Sequence, residues 1–159
     1  MTSPAFIHLH VHSEYSLVDG LVRIKPLVKA AADDGMPAVA MTDQCNLFAL
    51  VKFYQAALAA GIKPLVGVDA WIRDEEDANK PYRMLLLVQN REGYLNLTRL
   101  VSRSYREGQH LGRPMLHRDW LNQDTCAGLI ALSGARHGEV ERALLSGNQR
   151  LAENRLTHW

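Results

Sequence analysis

The sequence predicts an α/β fold in which a largely parallel sheet is covered by helices. Three observations carry that prediction. Segments of apolar strand character alternate along the chain with segments of helical periodicity. The strand segments are short apolar runs rather than strictly alternating ones, as buried parallel strands are. Polar residues capable of chemistry fall at the ends of those runs, at His10 and His12, Asp43, Asp69 and Ser133, where α/β folds gather function. The pattern fits a doubly wound sheet and an incomplete barrel equally well.

The first element is expected over residues 6–13 (FIHLHVHS), where apolar residues and histidines alternate. As a strand it places His8, His10 and His12 on one face and Ile7, Leu9 and Val11 on the other. Asp19 follows after a short loop. Imidazoles with a carboxylate are the donor set of a zinc or manganese site. A partly exposed strand with ordinary polar histidines satisfies the same alternation.

A helix is expected over 24–34, with Ile24, Leu27, Val28 and Ala31 at helical spacing and Gly35 as its stop. Residues 37–41 form a short buried strand that ends in Thr42-Asp43-Gln44-Cys45-Asn46. A second helix over 47–60 carries Leu50, Val51, Tyr54 and Leu58 on one side, and a third strand covers 63–70. Residues 73–81 are a polar loop and 82–88 a fourth strand. Asn90 is a plausible N-cap of a helix over 91–107 whose apolar face includes Leu97, Leu100, Val101 and Tyr105. An irregular stretch to Asp124 is broken by Gly112-Arg113-Pro114. A fifth strand covers 128–133, followed by helices over 139–145 and from 149 onward. The last helix has no capping glycine or proline, so the chain reads as part of a longer one.

Composition narrows the function. The 159 residues suit one domain, and 47% hydrophobic with 22% charged content is ordinary for a globular chain. A net charge of +1 exerts no global pull on nucleic acid or membrane. Two cysteines, Cys45 and Cys126, are too few for a disulfide framework and fit a reducing compartment. With no signal-like segment or membrane-length apolar run, a cytoplasmic protein without membrane contact is expected. No Walker loop and no G-x-S-x-G elbow are present, which excludes those nucleotide-hydrolase and serine-hydrolase classes. Arg99, Arg103 and Arg106, with Arg113 beyond, are a candidate basic face, although Glu107 makes a solvated helix surface the simpler reading. Trp71 and Trp120 are expected to pack, and His110, His117 and His137 to lie on the surface.

The histidine run with its Ser16-Leu17-Val18-Asp19-Gly20 turn, the Ala40-Met41-Thr42-Asp43 segment leading to Asn46-Leu47, and Gly61-Ile62-Lys63-Pro64-Leu65-Val66-Gly67-Val68-Asp69 together resemble the PHP (polymerase and histidinol phosphatase) domain family. More narrowly, they resemble the PHP regions that open the alpha subunits of bacterial replicative DNA polymerases of family C. Tyr94-Leu95-Asn96-Leu97 and residues 128–134 extend the resemblance over essentially the whole chain. It implies a distorted, seven-stranded, TIM-like β/α barrel, here incomplete. Residues 1–159 are then the first portion of a PHP domain, without polymerase palm, thumb or fingers.

The resemblance also implies a metal site at the strand ends. His8, His10 and Asp19 stand at ligand positions, and Asp69 stands where the family has a glutamate. Gln44 replaces a ligand histidine, Arg83 another in the fourth strand, and Ala135 a cysteine or histidine. His12 and Asp43 line the same cleft. A guanidinium repels a dication and an amide is a poor ligand, so zinc or manganese would be held weakly or not at all, without catalysis by this portion alone. The resemblance implies magnesium at the parent's polymerase site, DNA bound through the parent, and the proofreading exonuclease and other replicase subunits as partners. The expected role is a scaffold and docking site. The alternative is a metal-dependent phosphoesterase or 3′→5′ exonuclease acting in the cleft.

Overall fold

The computed structural model describes residues 6–17 and 19–159. The chain divides into two units, the first ending at Asp69 and the second running from Ala70 to Trp159.

In the first unit, α1 (Ile24–Asp33) and α2 (Leu50–Ala59) pack on β1 (Ala38–Met41) and on each other. β1 is buried along its whole length and pairs in parallel with the start of β2 (Lys63–Ile72), in the register Ala38↔Lys63 to Met41↔Val66. Ile24, Val28 and Ala31 of α1 meet Phe53 and Ala57 of α2 over Val39 and Met41. This is the one-sided apolar stripe that a helix needs in order to cover a strand.

Two expectations are corrected here. Residues 6–12 do not form a regular strand. The His8 carbonyl accepts from the Ala40 amide (2.9 Å) and the Val11 carbonyl from the Thr42 amide (3.0 Å). Three residues therefore span what two span in β1, and the extra residue breaks the two-residue alternation. The second correction concerns α2. Phe53 and Ala57 are its buried face, whereas Val51, Tyr54 and Leu58 point to solvent. The helix is apolar nearly all round, so only packing selects its inner side.

In the second unit the strand order is β4-β5-β2-β3-β6, with β3 (Tyr82–Val88), β4 (Gln109–His110), β5 (Arg113–Leu116) and β6 (Leu129–Ser133). β4 and β5 lie in the stretch expected to be irregular. β5 runs parallel to the end of β2, but β4 is antiparallel to β5 and β6 is antiparallel to β3. The architecture is thus a mixed α/β fold whose sheet does not close among the described residues, rather than a parallel one.

The reversal at β6 has a local cause. α3 (Arg91–Glu107) starts directly after β3, capped by Asn90 Oδ1, which accepts from the Gly93 amide at 3.0 Å. Gln89 donates its amide to the Gly128 carbonyl, and Asn96 donates its side-chain amide to the carbonyls of Asp124 and Ala127. Gly93 has no Cβ, and one would collide with that Gly128 carbonyl. β6 therefore begins where β3 ends, and it can only run back along it.

The unit closes with α4 (Glu139–Leu145) and α5 (Gln149–His158), which pack together. Buried Glu139 accepts from Arg118, from Arg155 (2.8 Å) and from the Trp159 indole (3.0 Å). Arg103 pairs with Glu107 at 2.7 Å and lies over Trp120, so this part of the arginine row is a solvated, self-paired surface. Trp120 is buried, and Trp71 is half-buried between Arg83 and Arg113. No helix among the described residues is long and apolar enough to cross a membrane.

His117, expected at the surface, instead stacks on Trp120 with ring centroids 4.4 Å apart. Burial, reinforced by the Arg73 charge, holds its pKa below the ordinary imidazole value. The folded state therefore favours the neutral ring. Its contribution to stability is complete above the unfolded pKa, near about 6.5, and is lost as pH falls through the lower folded value. His117→Phe should keep the stack and flatten this part of the pH–stability curve in urea titrations. In the first unit, Phe53→Ala should cost about 3–5 kcal/mol, whereas Tyr54→Ala should stay within about 0.5 kcal/mol of wild type. The same denaturant titrations read both.

Candidate metal centre

The centre is built on the irregular histidine segment and the end of β1. Thr42 ties the segment to β1: its hydroxyl accepts from the Val11 amide (2.9 Å) and donates to the Val11 carbonyl (3.1 Å). One residue on, buried Asp43 accepts from the Ser13 amide (2.5 Å) and from the Ser13 hydroxyl (2.8 Å). Burial pushes the Asp43 carboxyl above its usual range, against the opposing pull of the Ser13 donors. The loop after Asp43 holds β2 in place. The Cys45 amide donates to the Asp69 carbonyl (2.9 Å), the Asp69 amide donates to the Asp43 carbonyl (3.2 Å), and Gln44 bridges Asp69 in parallel. Cys45 takes a left-handed backbone (φ 55°) to make this turn, an uncommon conformation for a residue with a side chain.

These anchors bring His10, His12 and Asp69 together, with one ligand atom from each lying within 4.8 Å of the others. His10 Nε2 is 2.9 Å from Asp69 Oδ2, His12 Nε2 is 3.1 Å from the same oxygen, and the two Nε2 atoms are 3.2 Å apart. Asp69 is buried, His12 is mostly buried and His10 is open to solvent. On the far side of the His12 ring, Nδ1 faces Asp19 Oδ1 at 2.9 Å. Burial alone would draw the His12 pKa down. The hydrogen bonds and charges of Asp69 and Asp19 outweigh it and hold the pKa above its ordinary value.

Of the residues expected at ligand positions, His10 and Asp69 lie in the cluster and Asp19 lies one step behind it on His12. His8 lies outside it, with its ring edge-on to Phe6 at 4.8 Å. Val18, in the expected turn, falls outside the described residues. His12, read from the sequence as a residue lining the cleft, sits at the middle of the cluster. Its place on the same face as His10 in the H-x-H-x-H alternation was the available signal. The Asp43–Ser13 pair left no such signal, because the partners are 30 residues apart.

Arg83 and Ala135 belong to the second unit. The Arg83 guanidinium lies 4.7 Å from the Trp71 ring centre, and Arg83 lines a cavity of about 580 Å³ with Ser133 and Glu139. Ala135 opens a short 3₁₀ turn with φ 45°.

Residues 8–159 match the PHP domain family, and the chain belongs to it. Along 98% of its length it is 52% identical to DNA polymerase III subunit alpha of Pseudomonas aeruginosa. It is 48% identical to the protein of the same name from Escherichia coli K12 and 47% to that of Vibrio cholerae, over 96% of its length in each case. The chain spans 13% of the length of these relatives. Two solved structures share the fold. A protein of Bifidobacterium adolescentis with a provisional assignment as a metal-dependent phosphoesterase matches 67% of this chain and 35% of its own, with a TM-score of 0.50 and 18% identity. An amidohydrolase of Chromobacterium violaceum with bound sulfate and no metal matches 64% of this chain and 34% of its own, with a TM-score of 0.50 and 23% identity.

Asp43→Ala would leave two buried Ser13 donors without their acceptor, at about 1–3 kcal/mol each. It should lower the urea midpoint well below that of Asp43→Asn, which retains an acceptor oxygen. Equal midpoints for the two variants would show that the pair does not anchor the segment.

Proposed function

We propose that residues 1–159 are the opening portion of the PHP region in an alpha subunit of a bacterial replicative DNA polymerase. In this reading the region is a scaffold that supports the polymerase and docks the separate proofreading exonuclease. The complete polypeptide is a DNA-directed DNA polymerase that works on DNA with magnesium, among the other replicase subunits in the cytoplasm. The incomplete seven-stranded barrel is part of the same reading. The observation that carries it is the near-full-length similarity to DNA polymerase III subunit alpha, joined to the non-ligating residues at Gln44, Arg83 and Ala135.

The surviving donors fit one divalent cation. A neutral His12 that donates its Nδ1 proton to Asp19 has only a lone pair on Nε2, and that lone pair faces a carboxylate oxygen and a second imidazole nitrogen. Such a convergence suits a zinc or manganese ion held by His10, His12 and Asp69, with Asp19 orienting His12 from behind. A bound ion would supply polarisation of a phosphoester oxygen or of an attacking water. Without an ion, Asp69 keeps both imidazoles oriented by accepting from them. His8 and Asp43 serve the backbone and its anchors rather than the donor set.

This donor set also favours a second reading, a metal-dependent phosphoesterase or 3′→5′ exonuclease in the cleft. The two readings differ in what they require of the histidines. For the scaffold, the complete polypeptide purified without added metal should carry at most one zinc or manganese, lost in His10→Ala/His12→Ala by elemental analysis. That double variant should still retain the exonuclease subunit in a pull-down. Hydrolysis of a phosphodiester that disappears in the double variant would instead establish the second reading. Failure of the unaltered polypeptide to retain the exonuclease would remove the docking role.

A further inference from the structure

We infer that the exposed face of α2, with the groove beside it at the start of α1, is a docking surface for an acidic amphipathic segment of a partner protein. The inference rests on the scaffold reading only in supposing a partner, not in which partner it is.

The first observation is the outward face of α2. Val51 (66% exposed), Tyr54 (48%) and Leu58 (56%) recur at spacings of three and four residues, which places them along one side of the helix, and Phe48 (59%) is exposed in the turn just before it. Phe53 and Ala57 fill the core on another side. The helix therefore presents a second apolar stripe that the first unit does not use. Isolated exposed apolar residues need no explanation, but a contiguous row of aromatic and branched side chains marks an interaction surface.

The second observation is charge. A groove of about 860 Å³ runs beside the stripe, between α2 and the start of α1. Arg23, Lys25 and Lys52 line it against one acid, Glu14. Arg23 reaches Glu14 only at 4.0 Å, too far to neutralise it closely. Lys52 hydrogen-bonds the Tyr15 hydroxyl and lies 5.0 Å from that ring's centre, so its charge is positioned yet stays in water. α2 contributes no carboxylate of its own.

A row of apolar anchors flanked by cations is complementary to a helix that carries apolar residues at i, i+3/i+4 and i+7 with Asp or Glu beside them. Single-stranded nucleic acid fits less well. Val51 and Leu58, on either side of Tyr54, have no ring on which a base could stack.

The test uses the purified complete polypeptide that contains residues 1–159. The probe is a fluorescein-labelled synthetic helix of about 20 residues, with Leu at every third or fourth position and Glu elsewhere. A counterpart carries Lys in place of Glu. The acidic probe should bind by fluorescence anisotropy and the basic one should not. Affinity should fall about tenfold or more in Val51→Glu/Leu58→Glu, and similarly in Lys25→Glu/Lys52→Glu, with a salt dependence that the second pair removes. Val51→Ser/Leu58→Ser, which adds no charge, repeats the apolar arm if the glutamates disturb folding. Equal binding of both probes, binding of neither, or indifference to both double variants would overturn the inference. So would benzoylphenylalanine at Leu58 crosslinking only within its own polypeptide, or a self-association that Val51→Glu/Leu58→Glu abolishes. The peptide arm decides this surface and exonuclease retention decides the scaffold reading, so either can fail without the other.

Discussion

The two short bonds from Ser13 to the buried Asp43 carboxylate fix the geometry on which the first unit's chemistry depends. Ser13 follows His12 directly, and its backbone bridges Val22, so the loop bearing Asp19 opens and closes around this residue. Ser13 Oγ also accepts from the Tyr15 amide and starts the turn that follows. On the other side, Asp43 leads into the Gln44–Cys45 turn that binds the Asp69 backbone. His12, Asp19 and Asp69 are thus all located within a few bonds of one pair. A buried carboxylate without such donors would be costly, and the donors would be equally costly without it. Each partner makes the burial of the other possible.

The anchoring has a price in regularity that decides which histidines meet. Between the bonds at His8 and Val11 the segment carries one residue more than β1 does between Ala40 and Thr42. A regular strand would have kept His8, His10 and His12 in one row. The extra residue instead lets His10 and His12 turn together onto Asp69 while His8 stays beside Phe6. The T-shaped packing of the His10 and His12 rings, with centroids 4.9 Å apart, is the outcome.

Much of the fold was legible because local rules and packing agree there. Asn90 announces α3, its amphipathic pattern runs unbroken to Glu107, and the apolar run at 82–88 is a strand with those bounds. Legibility failed where the deciding contact lies far along the chain. The direction of β6 is set by bonds from Gln89 and Asn96 to residues 124–128, about thirty or more positions away. The inner face of α2 is set by α1 and β1, because Leu50, Val51, Phe53, Tyr54, Ala57 and Leu58 offer no polar contrast. β4 and β5 are too short to show a period. In the cluster, His10, His12 and Asp69 were all candidates from their residue types, but which of the candidates meet depended on the bulged path between His8 and Val11.

The proton inventory of the cluster bears on what can hold its three side chains together. Two imidazole nitrogens and one carboxylate oxygen lie within 3.2 Å of one another, and every such contact needs a positive centre or a proton between the atoms. A cation would satisfy all three at once. Protons can satisfy the two contacts to Asp69. His12 Nδ1 faces Asp19 at 2.9 Å, and the hydrogen bonds and charges of its two carboxylate neighbours raise its pKa against the opposing effect of burial, which favours a proton on each ring nitrogen. With a proton on each Nε2, Asp69 accepts from both rings, and the 3.2 Å contact between the two Nε2 atoms is left as two donors facing one another. The bonds to Asp69 are therefore compatible with a structural role for the two histidines, whereas a shared cation would satisfy the contact between the rings as well.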